Sequence, residues 1–358
     1  MDEFVIEGGV PLQGTVTPSG NKNAAFPLIA AALLTDEPVR LKNLPDIADV
    51  RTMLGLVEQL GVEVDRHDPH TVTLRARRIT ATAPDADLLR RVRGGLVLMG
   101  PLLAREGEAR VERSGGDQIG RRRIDTHVLG LQALGAVMQQ DDGLVLRGRP
   151  LRGAEFTLGP DFMEVGSFVA LAAVTGGEII VKNAGLEHLR MALGVFGRLG
   201  VRTRADGDDL ILPAGQSLAV RPDLGNAIPT IDDGPWPAFP ADLMSVALVT
   251  ATQAEGAVLF HEKMYESRLF FVDKLIGMGA RVVLCDPHRA LVHGPGRLRG
   301  EPTGIPSPDI RAGIALVVAA LCAEGRTVIR SVDQIDRGYE NIDAKLQALG
   351  ARIRRVRV

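Results

Sequence analysis

A motif of the form Leu/Met-Gly-Ala/Val recurs five times along the chain, and each copy closes an amphipathic helical pattern. Successive motif glycines are 74, 65, 79 and 71 residues apart. A unit of this size is too small to bury both of its helices alone, so the units must share cores. The five copies are Leu60-Gly61-Val62, Leu134-Gly135-Ala136, Leu199-Gly200-Val201, Met278-Gly279-Ala280 and Leu349-Gly350-Ala351.

The last unit shows the order of elements that we expect in each repeat. Residues 312–323 are apolar nearly all round, and residues 326–330 form a short β-rich stretch. Residues 341–349 carry apolar side chains at helical spacing, and residues 351–358 alternate as an outer strand. This pattern predicts strand–helix–strand–helix–strand–strand units whose first helix is buried and whose sheets lie outside.

The composition of the whole chain narrows the class of protein. A length of 358 residues predicts about two domains, and the net charge of −2 gives no drive toward nucleic acid or an anionic membrane. Two cysteines imply no disulfide framework, the first residues lack a signal-peptide pattern, and the longest apolar run, 314–323, is shorter than a membrane span. We therefore expect a soluble cytoplasmic protein.

Two loops could bind or protonate an anionic ligand. Ser19 to Ala24 places Lys22 at a helix start, where its charge, the free N–H groups and the helix dipole add together. The alternative is a capped helix with a surface lysine. Arg113 to Gly120 is glycine-rich and holds Asp117, which suits a general acid, although a solvated turn has the same composition.

Further charged residues precede the other helices. Asp242 follows a proline-rich connection over 221–240 and is either a base or simply a helix N-cap, and Asp309 precedes the last buried helix in the same way. Arginine pairs with carboxylate and phosphate groups bidentately, so a cleft that collects these loops would bind a ligand carrying both. Histidine and cysteine spacing gives no metal motif, and nucleotide-binding glycine motifs are absent from the sequence. The loop residues are Lys22, Arg93, Arg122, Arg268, Arg311 and Arg337, with Asp117, Asp242 and Asp309.

Six segments in order resemble the enolpyruvyl transferase family over nearly the whole chain. The family fold consists of two inside-out α/β barrel-like domains, each of three repeated βαβαββ units around buried parallel helices. The resemblance implies a first domain over 22–159 and a second over 1–21 and 160–358, with five units instead of six. The six segments are 19–24, 115–120, 237–242, 265–268, 309–312 and 335–340.

The resemblance also implies a reaction and its residues. An enolpyruvyl group would pass from phosphoenolpyruvate to the 3-hydroxyl of UDP-N-acetylglucosamine, and phosphate would be released. This transfer is a step of peptidoglycan precursor synthesis, and it would need no metal or cofactor. Lys22, Arg122 and Arg337 would hold the phosphate, and Arg268 and Arg311 would lie at the carboxylate end. Asp242 would accept the hydroxyl proton, and Asp117 would protonate the methylene carbon. The remaining substrate-binding residues would be Asn23, Arg93, Arg123, Ile124, Asp125, His127, Met264 and Asp309. The loop from Arg122 to His127 would receive the uridine end.

The chain departs from the family pattern in two places. Asp117 replaces the usual cysteine and cannot form a thioether, which predicts insensitivity to fosfomycin. The third unit is missing, which affects the acceptor side and predicts self-association through the incomplete first domain. Transfer to a different hydroxyl acceptor and a non-catalytic homologue therefore remain alternatives.

Overall fold

The computed structural model describes residues 2–109, 155–235 and 237–357. These residues divide into two compact units. The larger unit contains residues 2–18 and those from 160 onward, and the smaller contains residues 19–109 and 155–159. Each unit has its own hydrophobic core.

Helices and strands alternate through both units. The helices are α1 (Lys22–Ala31), α2 (Ala48–Gln59), α3 (Ala86–Leu89), α4 (Met99–Glu106), α5 (Phe162–Thr175), α6 (Arg190–Arg198), α7 (Ala241–Thr252), α8 (Val272–Gly277), α9 (Ile310–Cys322), α10 (Asp333–Asp336) and α11 (Ile342–Ala348). The strands are β1 (Asp2–Glu7), β2 (Gly14–Val16), β3 (Val39–Lys42), β4 (Glu63–Asp68), β5 (Thr71–Arg75), β6 (Glu155–Thr157), β7 (Ile179–Val181), β8 (Arg204–Asp206), β9 (Asp209–Leu212), β10 (Thr230–Asp232), β11 (Gly256–His261), β12 (Val282–Asp286), β13 (Arg289–Gly294), β14 (Ile305–Pro306), β15 (Arg326–Arg330) and β16 (Arg352–Arg357). Short 3₁₀ helices span Ala32–Leu34, Arg93–Leu98, Leu186–His188 and Leu224–Asn226.

The described residues form four sheets of four strands, and all four share one pattern. Their orders are β14-β15-β1-β16, β10-β11-β13-β12, β2-β7-β9-β8 and β6-β3-β5-β4. In each sheet the first pair is parallel and the next two pairs are antiparallel. Parallel neighbours need a crossover, and α7 supplies the one between β10 and β11.

Three helices of the larger unit are buried along most of their length because they are apolar on every face. These are α5, α7 and α9, and they pack on one another beneath the sheets. The helix predicted over 312–323 and the strand predicted over 326–330 are confirmed as α9 and β15. The predicted connection over 221–240 contains strand β10, which its prolines and glycines concealed.

The recurring motif glycines have one structural role in the described chain. Gly61, Gly200, Gly279 and Gly350 have φ values of +98°, +87°, +100° and +91°. Each follows an amphipathic helix and precedes an antiparallel strand pair or an edge strand. This left-handed backbone favours glycine because a Cβ atom would be strained there, so the motif marks the turn that ends each helix. Gly135 lies outside the described residues.

The fold is α/β, with helices and sheets interleaved along the chain. Within the described ranges, no helix is both long enough and apolar enough to cross a membrane.

Candidate active site

The centre of the candidate site is a carboxylate held by two buried arginines in the larger unit. Arg268 Nη2 donates to Asp242 Oδ1 at 2.7 Å, and Arg311 Nε donates to Asp242 Oδ2 at 3.0 Å. The arginine side chains are 2% and 5% exposed, whereas the Asp242 side chain is 26% exposed. Asp242 therefore presents its carboxylate to solvent while the two positive charges lie behind it.

The start of α7 leaves the Asp242 side chain available for these arginines. The N-cap of α7 is Pro240, which has no side-chain capping bond, and Asp242 is the second residue of the helix. The alternative interpretation of Asp242 as a simple N-cap is therefore wrong. The helix is entered through extended backbone at Pro240, and the carboxylate turns toward the arginines instead of the free N–H groups.

Asp309, unlike Asp242, is the N-cap of its helix, α9. Its Oδ1 accepts from the backbone N–H groups of Arg311 at 2.7 Å and Ala312 at 3.0 Å. The same oxygen lies 3.4 Å from Arg268 Nη1. Asp309 thus begins α9 and faces the arginine that holds Asp242.

A chain of hydrogen bonds fixes Arg311 from its other side. Arg311 Nη1 donates to the Tyr339 hydroxyl at 3.2 Å, and that hydroxyl lies 2.9 Å from Ser167 Oγ on α5. Burial alone would lower the pKa of Arg311, but the Asp242 carboxylate and Tyr339 raise it above its usual value. Burial raises the pKa of Tyr339. The guanidinium therefore stays charged and fixed in position.

Two further predicted residues lie on segments around this centre. Met264 is 40% exposed and precedes Tyr265, whose ring lies 5.3 Å from the Arg268 guanidinium. Arg337 ends α10, and its Nη1 donates to Gln334 at 2.9 Å. Gly338 allows this segment to approach α9, because a Cβ there would come within 2.4 Å of Ile310.

The smaller unit holds the predicted lysine. Lys22 is the first residue of α1, and Asn21 caps the helix by accepting from the Ala24 N–H at 3.1 Å. The Lys22 ammonium lies 2.6 Å from Asp49 Oδ2, and both side chains are less than 10% exposed. The alternative of a surface lysine is therefore wrong, since Lys22 is a buried cation with a buried partner.

Asn23 is next to Lys22 in the chain, and Arg93 lies on a segment that packs on the same helix. Asn23 is exposed on the first turn of α1. Arg93 is half-buried at the start of a 3₁₀ helix that packs on α1. That packing is close because a Cβ on Gly94 would meet the Phe26 ring at 2.5 Å.

Six predicted site residues lie outside the described part of the chain. They are Asp117, Arg122, Arg123, Ile124, Asp125 and His127.

Sequence reasoning missed several polar residues that organise the site. Asp49 is buried in the first turn of α2, where an acid at an apolar-face position could have indicated a buried partner. Tyr339 falls inside a recognised segment but had no assigned role, and Ser167 sits within an apolar helix and carries no local signal. Their partners are distant in sequence, so only the fold shows them.

The arrangement suits an anionic substrate and proton transfer. Buried arginines attract a carboxylate strongly in a poorly solvated site, and a half-open carboxylate beside them can accept a proton. Among the described residues no group of histidine, cysteine and carboxylate side chains is arranged to hold a metal ion.

Comparisons with known proteins cover nearly the whole chain. The model of the EPSP synthase (3-phosphoshikimate 1-carboxyvinyltransferase) family matches residues 6–149 and 138–346. A UDP-N-acetylglucosamine 1-carboxyvinyltransferase from Bradyrhizobium diazoefficiens is 45% identical and covers 99% of this chain and 98% of the relative. A protein of the same name from Treponema denticola is 41% identical, covering 99% of each chain.

The first of these alignments also measures a difference in length. It spans 424 positions, whereas this chain has 358 residues, so at least 66 positions of the relative have no counterpart here. That deficit is close to the 65 to 79 residues between successive motif glycines.

Solved structures share the fold. The enolpyruvyl transferase NikO from Streptomyces tendae superposes with a TM-score of 0.80 at 22% identity, covering 99% of each chain. An EPSP synthase from Acinetobacter baumannii gives a TM-score of 0.66 at 14% identity, covering 100% of each chain. These likenesses concern the fold, and the identity of the curated relatives concerns the family.

Proposed function

Because the chain belongs to the EPSP synthase family of enolpyruvyl transferases, we propose that it transfers the enolpyruvyl group of phosphoenolpyruvate to the 3-hydroxyl of UDP-N-acetylglucosamine. Phosphate is released, and the product serves peptidoglycan precursor synthesis. The observation that carries this proposal is the Asp242 carboxylate, half-open to solvent and backed by two buried arginines. Relatives named for this reaction align over 98% or more of both chains.

Asp242 is the proposed base. It takes the proton of the acceptor hydroxyl as the hydroxyl oxygen attacks C2 of phosphoenolpyruvate and C3 gains a proton from Asp117. A C3 proton is then lost as the C2–O bond to phosphate breaks, which restores the double bond in the product. The C2 centre carries positive charge during both steps, so nearby carboxylates stabilise it.

The basic residues divide the negative charge of the substrate between them. Lys22, Arg122 and Arg337 bind the phosphate, and Arg268 and Arg311 bind the carboxylate. In the structure both arginines are paired with Asp242, so an incoming carboxylate competes for them. We infer that substrate binding frees Asp242 from part of this pairing and so makes it a better proton acceptor.

A second candidate function is enolpyruvyl transfer to a different acceptor, and the length of the chain favours it. The missing 66 or more positions match one repeat, so we propose that the molecule has five units instead of six in its inside-out α/β barrel-like domains. The first domain over 22–159 would then lack its third unit, and the second would comprise 1–21 and 160–358. A shortened acceptor side favours transfer to another hydroxyl compound as the alternative.

Two properties follow from this proposal. Asp117 cannot form the thioether that a cysteine forms with fosfomycin, so the enzyme should resist it, and a time-dependent covalent adduct on this loop would refute that. Self-association would cover surface left by the missing unit, and a monodisperse monomer in sedimentation would refute it. The absence of a disulfide framework fits a cytoplasmic enzyme.

A phosphate-release assay tests the function directly. Phosphoenolpyruvate with UDP-N-acetylglucosamine should release phosphate, and omission of the sugar nucleotide is the control. Phosphoenolpyruvate binding without turnover would support a different hydroxyl acceptor. Failure to bind either ligand would overturn the proposal and indicate a non-catalytic homologue.

A further inference from the structure

Two buried carboxyl groups in the larger unit have no part in the proposed chemistry. Asp233 follows β10 and Glu262 follows β11, and these strands are parallel neighbours in which Asp232 lies opposite His261. Asp233 and Glu262 are therefore the next pair beyond the strand ends. Glu262 is 0% exposed and Asp233 is 3% exposed.

The two carboxyl groups hold the segment that leads to Arg268. Asp233 Oδ1 accepts from the backbone N–H of Lys263. Glu262 Oε1 accepts from the N–H groups of Met264 at 3.1 Å and Tyr265 at 3.0 Å. Three successive N–H groups are thus bound by this pair, and the Tyr265 ring then lies against the Arg268 guanidinium.

Each carboxyl group keeps one buried oxygen without a hydrogen-bond partner in the described structure. These atoms are Asp233 Oδ2 and Glu262 Oε2. The two side chains lie close enough for the Asp233 carboxyl to raise the pKa of Glu262. Ionised carboxylates only accept hydrogen bonds and repel one another, so neither oxygen can satisfy the other unless one group is protonated.

We propose that Asp233 and Glu262 share one proton and act as a positioning pair that fixes the segment carrying Arg268. The shared proton supplies the missing hydrogen bond and removes one of two like charges from a buried space. Loss of that proton places two negative charges side by side, and the segment loosens. Arg268 then no longer holds Asp242 and the substrate carboxylate in register. The inference depends on the proposed function only for its effect on turnover.

The charged surroundings of the pair are consistent with one proton. Burial, and after it the neighbouring Asp233 carboxyl, raise the pKa of Glu262 to about 8, and Arg268 opposes both effects. From the β12–β13 turn, His288 Nδ1 lies 2.9 Å from the Glu262 backbone oxygen. The Lys263 ammonium is occupied by Asp232 on the exposed side.

The free energy of unfolding should depend on pH through the same proton. The pKa of Glu262 rises from 4.5 to about 8 in the folded chain, so the folded state binds more protons than the unfolded state between these values. The contribution of Glu262 to the free energy of unfolding is full below pH 4.5 and is lost as the pH rises through about 8.

Infrared spectra of the full chain, titrated from about pH 6 to about pH 10, test the proposal without any substrate. The wild type should show one protonated-carboxyl band that disappears near pH 8. Asp233→Asn should remove the band at the lower pH, because the amide donates to an ionised Glu262. Glu262→Gln should remove it too, and Asp232→Asn, a matched control one residue away and exposed, should retain it.

The pH profile of kcat/KM for phosphoenolpyruvate gives the second readout. The wild type should lose activity on the alkaline side, and Asp233→Asn should move that limb up by at least about 1 pH unit. Absence of a titrating carboxyl band in the wild type, or an unmoved limb in Asp233→Asn, would overturn the positioning pair. If Asp233→Asn does not fold, Glu262→Gln and the wild-type titration decide. A protein inactive in phosphate release but showing the band would refute the proposed function alone.

Discussion

The first turns of α7 and α9 look alike in sequence and are used differently in the structure. Each helix is apolar and has an aspartate within two residues of its N-cap, but Asp309 caps its own helix while Asp242 turns toward two arginines. The start of α5 resembles that of α9, because the Asp161 side chain accepts a hydrogen bond from the Met163 N–H at 2.8 Å. Two of the three aspartates at these helix starts therefore cap their own helix, and the third is directed at the arginines.

The difference comes from where each aspartate lies relative to the N-cap of its helix. Asp309 and Asp161 occupy the N-cap itself, where a carboxylate meets free N–H groups. Asp242 lies two positions later, behind a proline cap that offers no side-chain acceptor. A helix can tolerate this because its dipole still favours a negative charge in the first turn.

The largest expected effect is a difference in kcat between variants of Asp242 and Asp309. Asp242→Asn removes the proposed base but keeps the shape of the side chain, so kcat should fall about 10² to 10⁴-fold. Asp309→Asn keeps a good N-cap and should reduce kcat by less than about tenfold. Phosphate release with both variants measures this, and equal losses would remove the distinction between the two helix starts.

The next effect concerns how Arg311 connects the two helices. Arg311→Lys keeps the charge but cannot reach Asp242 and Tyr339 together, because lysine lacks the planar fork of arginine. We expect kcat/KM for phosphoenolpyruvate to fall roughly tenfold or more. Lys274→Arg, at a position on α8 whose side chain is exposed, is the control and should leave the value unchanged. An unchanged value in Arg311→Lys would contradict its role at the substrate carboxylate.

The third effect concerns the free energy of unfolding and tests whether Asp309 caps α9. Asp309→Ala removes the cap of α9 and should lower the free energy of unfolding by about 1–2 kcal/mol, whereas Asp309→Asn should change it little. Denaturant unfolding measures both variants. Equal stability of the alanine and asparagine variants would show that the cap is not what begins this helix.

The smallest effect concerns the support behind Arg311. Tyr339→Phe removes the hydroxyl that links Arg311 to Ser167 and should cost about 1 kcal/mol of stability. Ser167→Ala combined with Tyr339→Phe should cost less than the sum of the two single changes, because both break one network. Additive losses would show that the two groups act independently.

The sequence predicted those features whose signal is local. Apolar helices, the strand over 326–330 and the end of the last helix at Gly350 are each encoded within a few residues. The resemblance in ordered segments then identified the charged residues, and the structure brings Asp242, Arg268, Asp309 and Arg311 together.

The features that sequence reasoning missed depend on distant pairs. The partners Lys22 and Asp49, like Asp233 and Glu262, are separated by a helix or more of chain. Hydrophobic periodicity cannot indicate which buried polar groups will meet, because that depends on how the strands are ordered in the sheet. The choice between base and cap at Asp242 likewise depended on a two-residue shift in where α7 begins, and helix boundaries are the least certain part of a sequence prediction.

The most direct test of the central claim is the rate of phosphate release by Asp242→Asn, measured beside Asp309→Asn at saturating phosphoenolpyruvate and UDP-N-acetylglucosamine. Circular dichroism of both proteins first establishes that they are folded. If Asp242 is the base, Asp242→Asn is at least about 100-fold slower than the wild type, while Asp309→Asn stays within about tenfold. A folded Asp242→Asn variant with near wild-type turnover would contradict the assignment of Asp242 as the base.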